Sequence, residues 1–98
     1  MLAEKIPAVE AASLGLIYRS CPDDELPETA FGIAVKLAAM PTVGLGLTKK
    51  GFNEGWKNDL DKQLDLEEQL QKAAGSSKDY KEGVDAFLEK RKPVFKGE

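Results

Sequence analysis

Histidine is missing from this 98-residue chain. Its absence removes the side chain most often used as a general base near neutral pH, and most metal-site patterns with it. Cysteine occurs once, as Cys21, so no disulfide framework can form within the chain. That usage suits a reducing compartment, and the cytoplasm is the expected location. Without a histidine partner Cys21 cannot belong to a Cys–His nucleophile either, and a packed or partly exposed thiol is the plainer reading. A basic excess is also lacking: 14 Lys and Arg stand against 17 Asp and Glu, for a net charge of −3. With no dominant basic face, general nucleic-acid binding is not expected. No run approaches the roughly 20 apolar residues that span a bilayer, and residues 1–12 lack the apolar stretch of a signal peptide, so no membrane segment is expected. Neither a P-loop nor a dinucleotide-binding glycine pattern is present.

What remains is a soluble globular composition, with 42% hydrophobic and 32% charged residues. That balance supports a core rather than disorder. A chain of this length forms one small domain, residues 1–98, and buries roughly 60–70% of its unfolded surface. Hydrophobic spacing predicts an all-α fold of about five amphipathic helices. The first opens at Ile6-Pro7 and stops at Gly15, because glycine accepts the left-handed conformation that ends a helix. Leu16–Ser20 is a β-prone run, expected to be a short extended segment packed on a neighbour. The turn Pro22-Asp23-Asp24 then leads into a second helix from about Glu25 to Ala39. Its apolar stripe is Leu26, Ala30, Ile33, Ala34, Leu37 and Ala38, and Pro27 sits in the first turn, where a missing N–H costs little.

The glycines at 44, 46, 51 and 55 interrupt a third helical face made by Leu45, Phe52 and Trp56. Each costs about 1 kcal/mol relative to alanine, so such a helix depends on tertiary support. A long fourth helix runs from about Asn58 to Ala74, with Leu60, Leu64, Leu66 and Leu70 as its apolar residues. Gly75-Ser76-Ser77 ends it. The fifth begins with Ser76 or Ser77 as cap and Asp79 in its first turn, a capping-box pattern. Tyr80, Val84, Phe87 and Leu88 form its stripe, and Lys90, Arg91 and Lys92 are expected to close it before Pro93.

Chemistry is sparse. Asp65 and Glu68 form an i, i+3 pair on the fourth helix, but paired carboxylates do acid/base work only where burial or repulsion splits their pKa values. Interleaved Lys57, Lys62, Gln63 and Gln69 mark a solvated face instead. Phe52 and Trp56 fit either an apolar ligand lining or core, and their helical spacing favours core. Lys90, Arg91, Lys92 and Lys96 fit cations complementing a helix C-terminus or a phosphate contact, and residue type alone favours the first.

The wording of the chain adds to this reading. Glu82-Gly83, Ala86-Phe87-Leu88-Glu89-Lys90-Arg91, Pro93 and Phe95 resemble the C-terminal end of the crotonase superfamily, the enoyl-CoA hydratases and isomerases. The likeness extends through Glu4–Ala8, Glu10–Ala12, Gly15–Ile17, Pro22 and Glu25-Leu26. It continues through Pro41–Lys49, Leu60–Glu67 and Ala74–Val84, and so covers essentially the whole chain. Within the superfamily the wording is most similar to the isomerases acting on ring-epoxyphenylacetyl-CoA in phenylacetate degradation.

The resemblance implies a helical C-terminal region belonging to an enzyme of acyl-CoA thioesters that needs no metal or redox cofactor. It implies packing in a trimer or dimer of trimers, and closure of a neighbour's CoA site. Lys90 falls where a lysine of one subunit approaches the CoA of the next. Gln71 falls where some relatives place an aromatic near the adenine, which puts that contact in doubt here. The oxyanion glycines and catalytic carboxylate of the family have no counterpart in these residues, and nothing supports a catalytic role for Glu4. Met1 is accordingly expected to mark an engineered start or a truncated reading frame. Three readings stay open: an assembly domain inactive alone, a free-standing helical protein that binds crotonase subunits, and a small acyl-CoA binder using Phe52, Trp56 and Lys90.

Overall fold

The structure, a computed structural model, describes residues 4–98. The expectation about Met1 lies outside them. Five α-helices account for the regular structure: α1 (Ala8–Ser13), α2 (Leu26–Ala38), α3 (Thr42–Gly55), α4 (Leu60–Gly75) and α5 (Lys78–Leu88). A 3-10 turn, Asp23–Glu25, leads into α2, and no strand occurs among the described residues. The all-α expectation holds. The chain divides into two compact units, Met1–Ile33 and Ala34–Glu98.

In the first unit α1 ends as its sequence predicts. Gly15 takes φ 75°. Its N–H donates to the Ala12 carbonyl at 3.1 Å, and the Leu16 N–H donates to the Ala11 carbonyl at 2.9 Å. These are the paired bonds of a Schellman turn. The same turn corrects the reading of Leu16–Ser20 as an extended segment. Leu16 and Ile17 both donate to the Ala11 carbonyl, so residues 16–18 bend instead, and no ladder partner is available to hold them straight.

In the second unit the glycine-rich stretch is a helix because α4 packs against it. Gly51 is buried, and a Cβ built there would lie 3.3 Å from Leu70 Cδ1. Gly55 likewise faces the Gln63 amide. Nothing lies within 4 Å of a Cβ at Gly44 or Gly46, so only part of the glycine content serves this approach.

Helix α4 starts at Leu60, two residues after the start expected near Asn58. Asp59 is the N-cap, its carboxylate accepting from the Lys62 N–H at 3.0 Å. Its covered residues are Gln63, Leu66, Leu70 and Ala74, whereas Leu60 and Leu64 are exposed. Helix α5 is capped by Ser77, whose Oγ accepts from the Tyr80 N–H at 3.1 Å.

The side of α5 turned inward carries Asp79, Gly83 and Ala86, spaced i, i+4, i+7. The stripe Tyr80, Val84, Phe87, Leu88, expected to be core, is exposed. Large apolar side chains on α2 are exposed as well, among them Leu26, Phe31, Val35 and Leu37. Amphipathic helices formed where their periodicity predicts them, yet most of their apolar faces have no cover among the described residues.

Candidate functional site

The C-terminal end of α5 differs from its sequence reading. Lys90, Arg91 and Lys92 do not sit in the last helical turn. The helix stops at Leu88, Glu89 is the C-cap, and no basic residue occupies the final turn. The Lys90 N–H donates to the Phe87 carbonyl at 3.2 Å and the Arg91 N–H to the Ala86 carbonyl at 3.0 Å. This is a second Schellman turn, with Lys90 at φ 56° where a glycine is usual.

Arg91 explains how the turn is held. Its Nη1 and Nη2 donate to the two Glu82 carboxylate oxygens at 2.6 and 2.9 Å, and its Nε donates to Glu89. This bidentate fork is the strongest geometry available to an arginine–carboxylate pair. Hydrogen bonds from Arg91, then from the Val94 N–H, bring the Glu82 carboxyl down from its ordinary 4.5 to about 2. Accepting from its guanidinium, Glu82 and then Glu89 raise Arg91 above its ordinary value. Lys90 itself is exposed and has no ion pair or side-chain hydrogen bond among the described residues.

Beyond Pro93 the chain runs back along α5. Asp79, 3% exposed, accepts the Lys96 N–H on Oδ1 at 2.7 Å and the Gly97 N–H on Oδ2 at 2.8 Å. Its own N–H donates to the Glu98 carbonyl oxygen at 3.1 Å. Lys78 Nζ pairs with the Glu98 carboxylate, lowering Glu98 and raising Lys78. The sequence reading gave Asp79 a capping role only. With Ser77 as the cap, Asp79 stands at the second helical position and is free to take the tail.

Two grooves open on this unit. One, of about 410 Å³, is walled by Pro41, Tyr80, Val84, Phe87, Leu88 and Phe95. The other, of about 300 Å³, lies between α3 and α4 and includes Phe52, Gln63, Glu67 and Gln71. Phe52 and Gln71 therefore share a groove. Trp56, 92% exposed, borders a shallower depression with Phe52. Lys90 lines none of these, so Phe52, Trp56 and Lys90 are not gathered into one acyl-CoA pocket. Phe52 and Trp56 are also not core, as their spacing had suggested.

Asp65 and Glu68 lie on the exposed face of α4, and Glu68 pairs with Lys72 at 2.6 Å. Cys21 is a free, half-buried thiol. Among the described residues no cluster of three or more acidic or thiol side chains is placed to hold a metal ion. No single helix among them is long and apolar enough to cross a membrane.

Comparison with known proteins decides the family. The model of the enoyl-CoA hydratase/isomerase family matches residues 1–98. The chain belongs to the enoyl-CoA hydratase/isomerase family. It is 46% identical, over 99% of its length, to the 1,2-epoxyphenylacetyl-CoA isomerase of Escherichia coli, covering 37% of that protein. It is 45% identical to a probable enoyl-CoA hydratase of Rhodobacter capsulatus, over 99% of this chain and 38% of that one. Among solved structures, an enoyl-CoA hydratase from Geobacillus kaustophilus superposes with a TM-score of 0.86 at 37% identity, over 97% of this chain and 36% of that one. The chain thus spans little more than a third of the length of these family members. The helices described above are those of part of a hydratase/isomerase fold.

Proposed function

We propose that this chain is the C-terminal assembly and CoA-site-closing domain of an acyl-CoA isomerase or hydratase, and that it does not turn over acyl-CoA by itself. The observation that carries this reading is its uncovered surface. The chain exposes 8567 Å². A folded monomer of this mass exposes about 5,500 Å², and two separate bodies of the sizes seen here about 6,600 Å². The surplus of roughly 2,000–3,000 Å² is more than twice the ~800 Å² per partner of a standard interface. Its apolar content (Tyr80, Phe87, Leu88, Phe31 and Leu60 among others) is of the kind that packs against protein. Self-association, in the trimer or dimer of trimers that the family resemblance implies, belongs to the same proposal.

The substrate of the larger enzyme is an acyl-CoA, and no metal or redox cofactor is proposed. The likeness to an Escherichia coli protein named for 1,2-epoxyphenylacetyl-CoA isomerisation supports ring-epoxyphenylacetyl-CoA and a role in phenylacetate breakdown, in the cytoplasm. Lys90 is proposed to contact a CoA phosphate of a neighbouring subunit. Its support is an unpaired ammonium on a turn held firmly by Arg91.

An activity assay tests the proposal. The chain, given crotonyl-CoA or ring-epoxyphenylacetyl-CoA, is expected to show no hydration and no isomerisation. Turnover of either, abolished by substitution within the chain, would contradict the assembly reading.

A further inference from the structure

The C-terminal segment is bound to α5 along its length. The Val94 N–H donates to Glu82, the Lys96 and Gly97 N–H groups donate to Asp79, and Lys78 pairs with the Glu98 carboxylate. Between these ties the Phe95 ring lies 3.6 Å from where a Cβ of Gly83 would be. Carboxylates accepting N–H groups make charge-assisted bonds, stronger than neutral ones. Asp79, 3% exposed, is also shielded from competing water. Helix and segment therefore hold together as one piece, residues 78–98.

That piece is joined to the rest of its unit at few places. Helix α3 packs along α4, whereas α5 meets α4 over a short stretch only. Ser76 and Ser77 alone separate α4 from α5, a connection of the kind that absorbs a hinge motion. The far end of the piece seats against α3. Gly97 takes φ 75°, and a Cβ built on it would lie 2.5 Å from Oγ1 of Thr42, the first residue of α3. That distance admits no side chain, and the left-handed backbone disfavours one as well.

We propose that residues 78–98 form a hinged arm, α5 stiffened by the strap 92–98 and latched to α3 where Gly97 seats on Thr42. Asp79 is the positioning residue that ties the latch to the helix. Unlatched, the arm turns about Ser76-Ser77 while α3 and α4 keep their packing. Lys90, on the bend between α5 and the strap, travels with it. The inference deepens the site-closing reading and rests on it for the use of the motion: the latch sets where the Lys90 ammonium stands.

The test reads the arm by pulsed electron paramagnetic resonance. Spin labels go on Lys49→Cys in α3 and Lys81→Cys in α5, both exposed positions, in a Cys21→Ala background. Dilution with unlabelled chain confines the reading to pairs within one copy. A single narrow distance is expected with the native latch. Gly97→Ala is expected to broaden it towards longer distances, with helix content by circular dichroism unchanged. Thr42→Ala removes the hydroxyl that the new methyl meets, so adding it to Gly97→Ala is expected to restore most of the narrow distribution. Asp79→Asn puts an amide nitrogen, which cannot accept, in place of one carboxylate oxygen. Exchange at the Lys96 and Gly97 amides should then quicken about tenfold, the scale of one lost charged hydrogen bond, and the distance should broaden as in Gly97→Ala. A distribution unchanged by Gly97→Ala overturns the latch. Broadening that Thr42→Ala fails to reverse overturns it too, because the effect then lies in the backbone of Gly97 and not in its seat. Faster exchange in Asp79→Asn at an unchanged distance overturns the role of Asp79. Turnover of acyl-CoA by the chain would instead refute the site-closing reading, a failure separate from anything these distances report.

Discussion

At the scale of single residues, Lys90 and Glu82 show how local geometry departs from residue type. A lysine in the left-handed region costs about 1 kcal/mol that a glycine would not. Lys90→Gly is therefore expected to raise the unfolding free energy of the chain by about 1 kcal/mol in a denaturant titration. No gain would mean that the turn carries no strain. Glu82 gives a pH signature. Its carboxyl is held near 2 in the folded chain, against an ordinary 4.5. The unfolded chain thus binds the proton first, so the contribution of Glu82 is fully present above about pH 4.5 and is lost as pH falls towards 2. Asp59 and Glu98 are lowered in the same sense by Lys62 and Lys78. A difference measurement isolates the one group. Melting temperatures of wild type and Glu82→Gln are expected to converge as pH falls through that window. A constant gap from pH 6 to 2 would contradict the Arg91–Glu82 fork.

The helices themselves were largely legible in the sequence, because apolar residues at the helical period and punctuation by Gly15, Pro22, Pro41 and Gly75-Ser76-Ser77 act locally. Which face of each helix is covered was not legible. Periodicity marked Leu60 and Leu64 on α4 and Tyr80 and Phe87 on α5 as core, yet both pairs are exposed. A stripe records that a helix packs on something, and that something need not lie in the same 98 residues. The Schellman turn at Gly15 could be read directly, whereas its counterpart at Lys90 carries no glycine to announce it. The Asp79 clamp was hidden because its partners stand 17 and 18 residues away.

Helix α3 offers a test at this scale. Gly46→Ala adds a methyl into open space and removes backbone entropy from the unfolded chain, so a gain of about 0.5–1 kcal/mol is expected. Gly51→Ala must displace Leu70 Cδ1, 3.3 Å away, and is expected to gain clearly less. Equal stabilisation by the two, followed by thermal or chemical unfolding, would contradict the close α3–α4 packing.

For the whole molecule, the balance between covered and uncovered surface governs. Few side chains are fully buried, with Ala86 and Asp79 the buried side chains among the described residues, while apolar groups on α2, α4 and α5 face outward. The chain belongs to the enoyl-CoA hydratase/isomerase family and covers 37% of the Escherichia coli relative's length; the proposed assembly role would give that surface its cover. The candidate site was legible only in part. Lys90 was marked by its resemblance to a family position, and its free ammonium suits the role, but the grooves and the strap arise from tertiary placement that no spacing rule encodes.

The most direct measurement is the mass of the chain in solution across a wide concentration range, by sedimentation equilibrium. The account predicts reversible association, with average mass rising well above that of the monomer as concentration increases. A single monomeric species throughout, with the native helix content intact, would contradict the claim that this surface is built to be covered by protein.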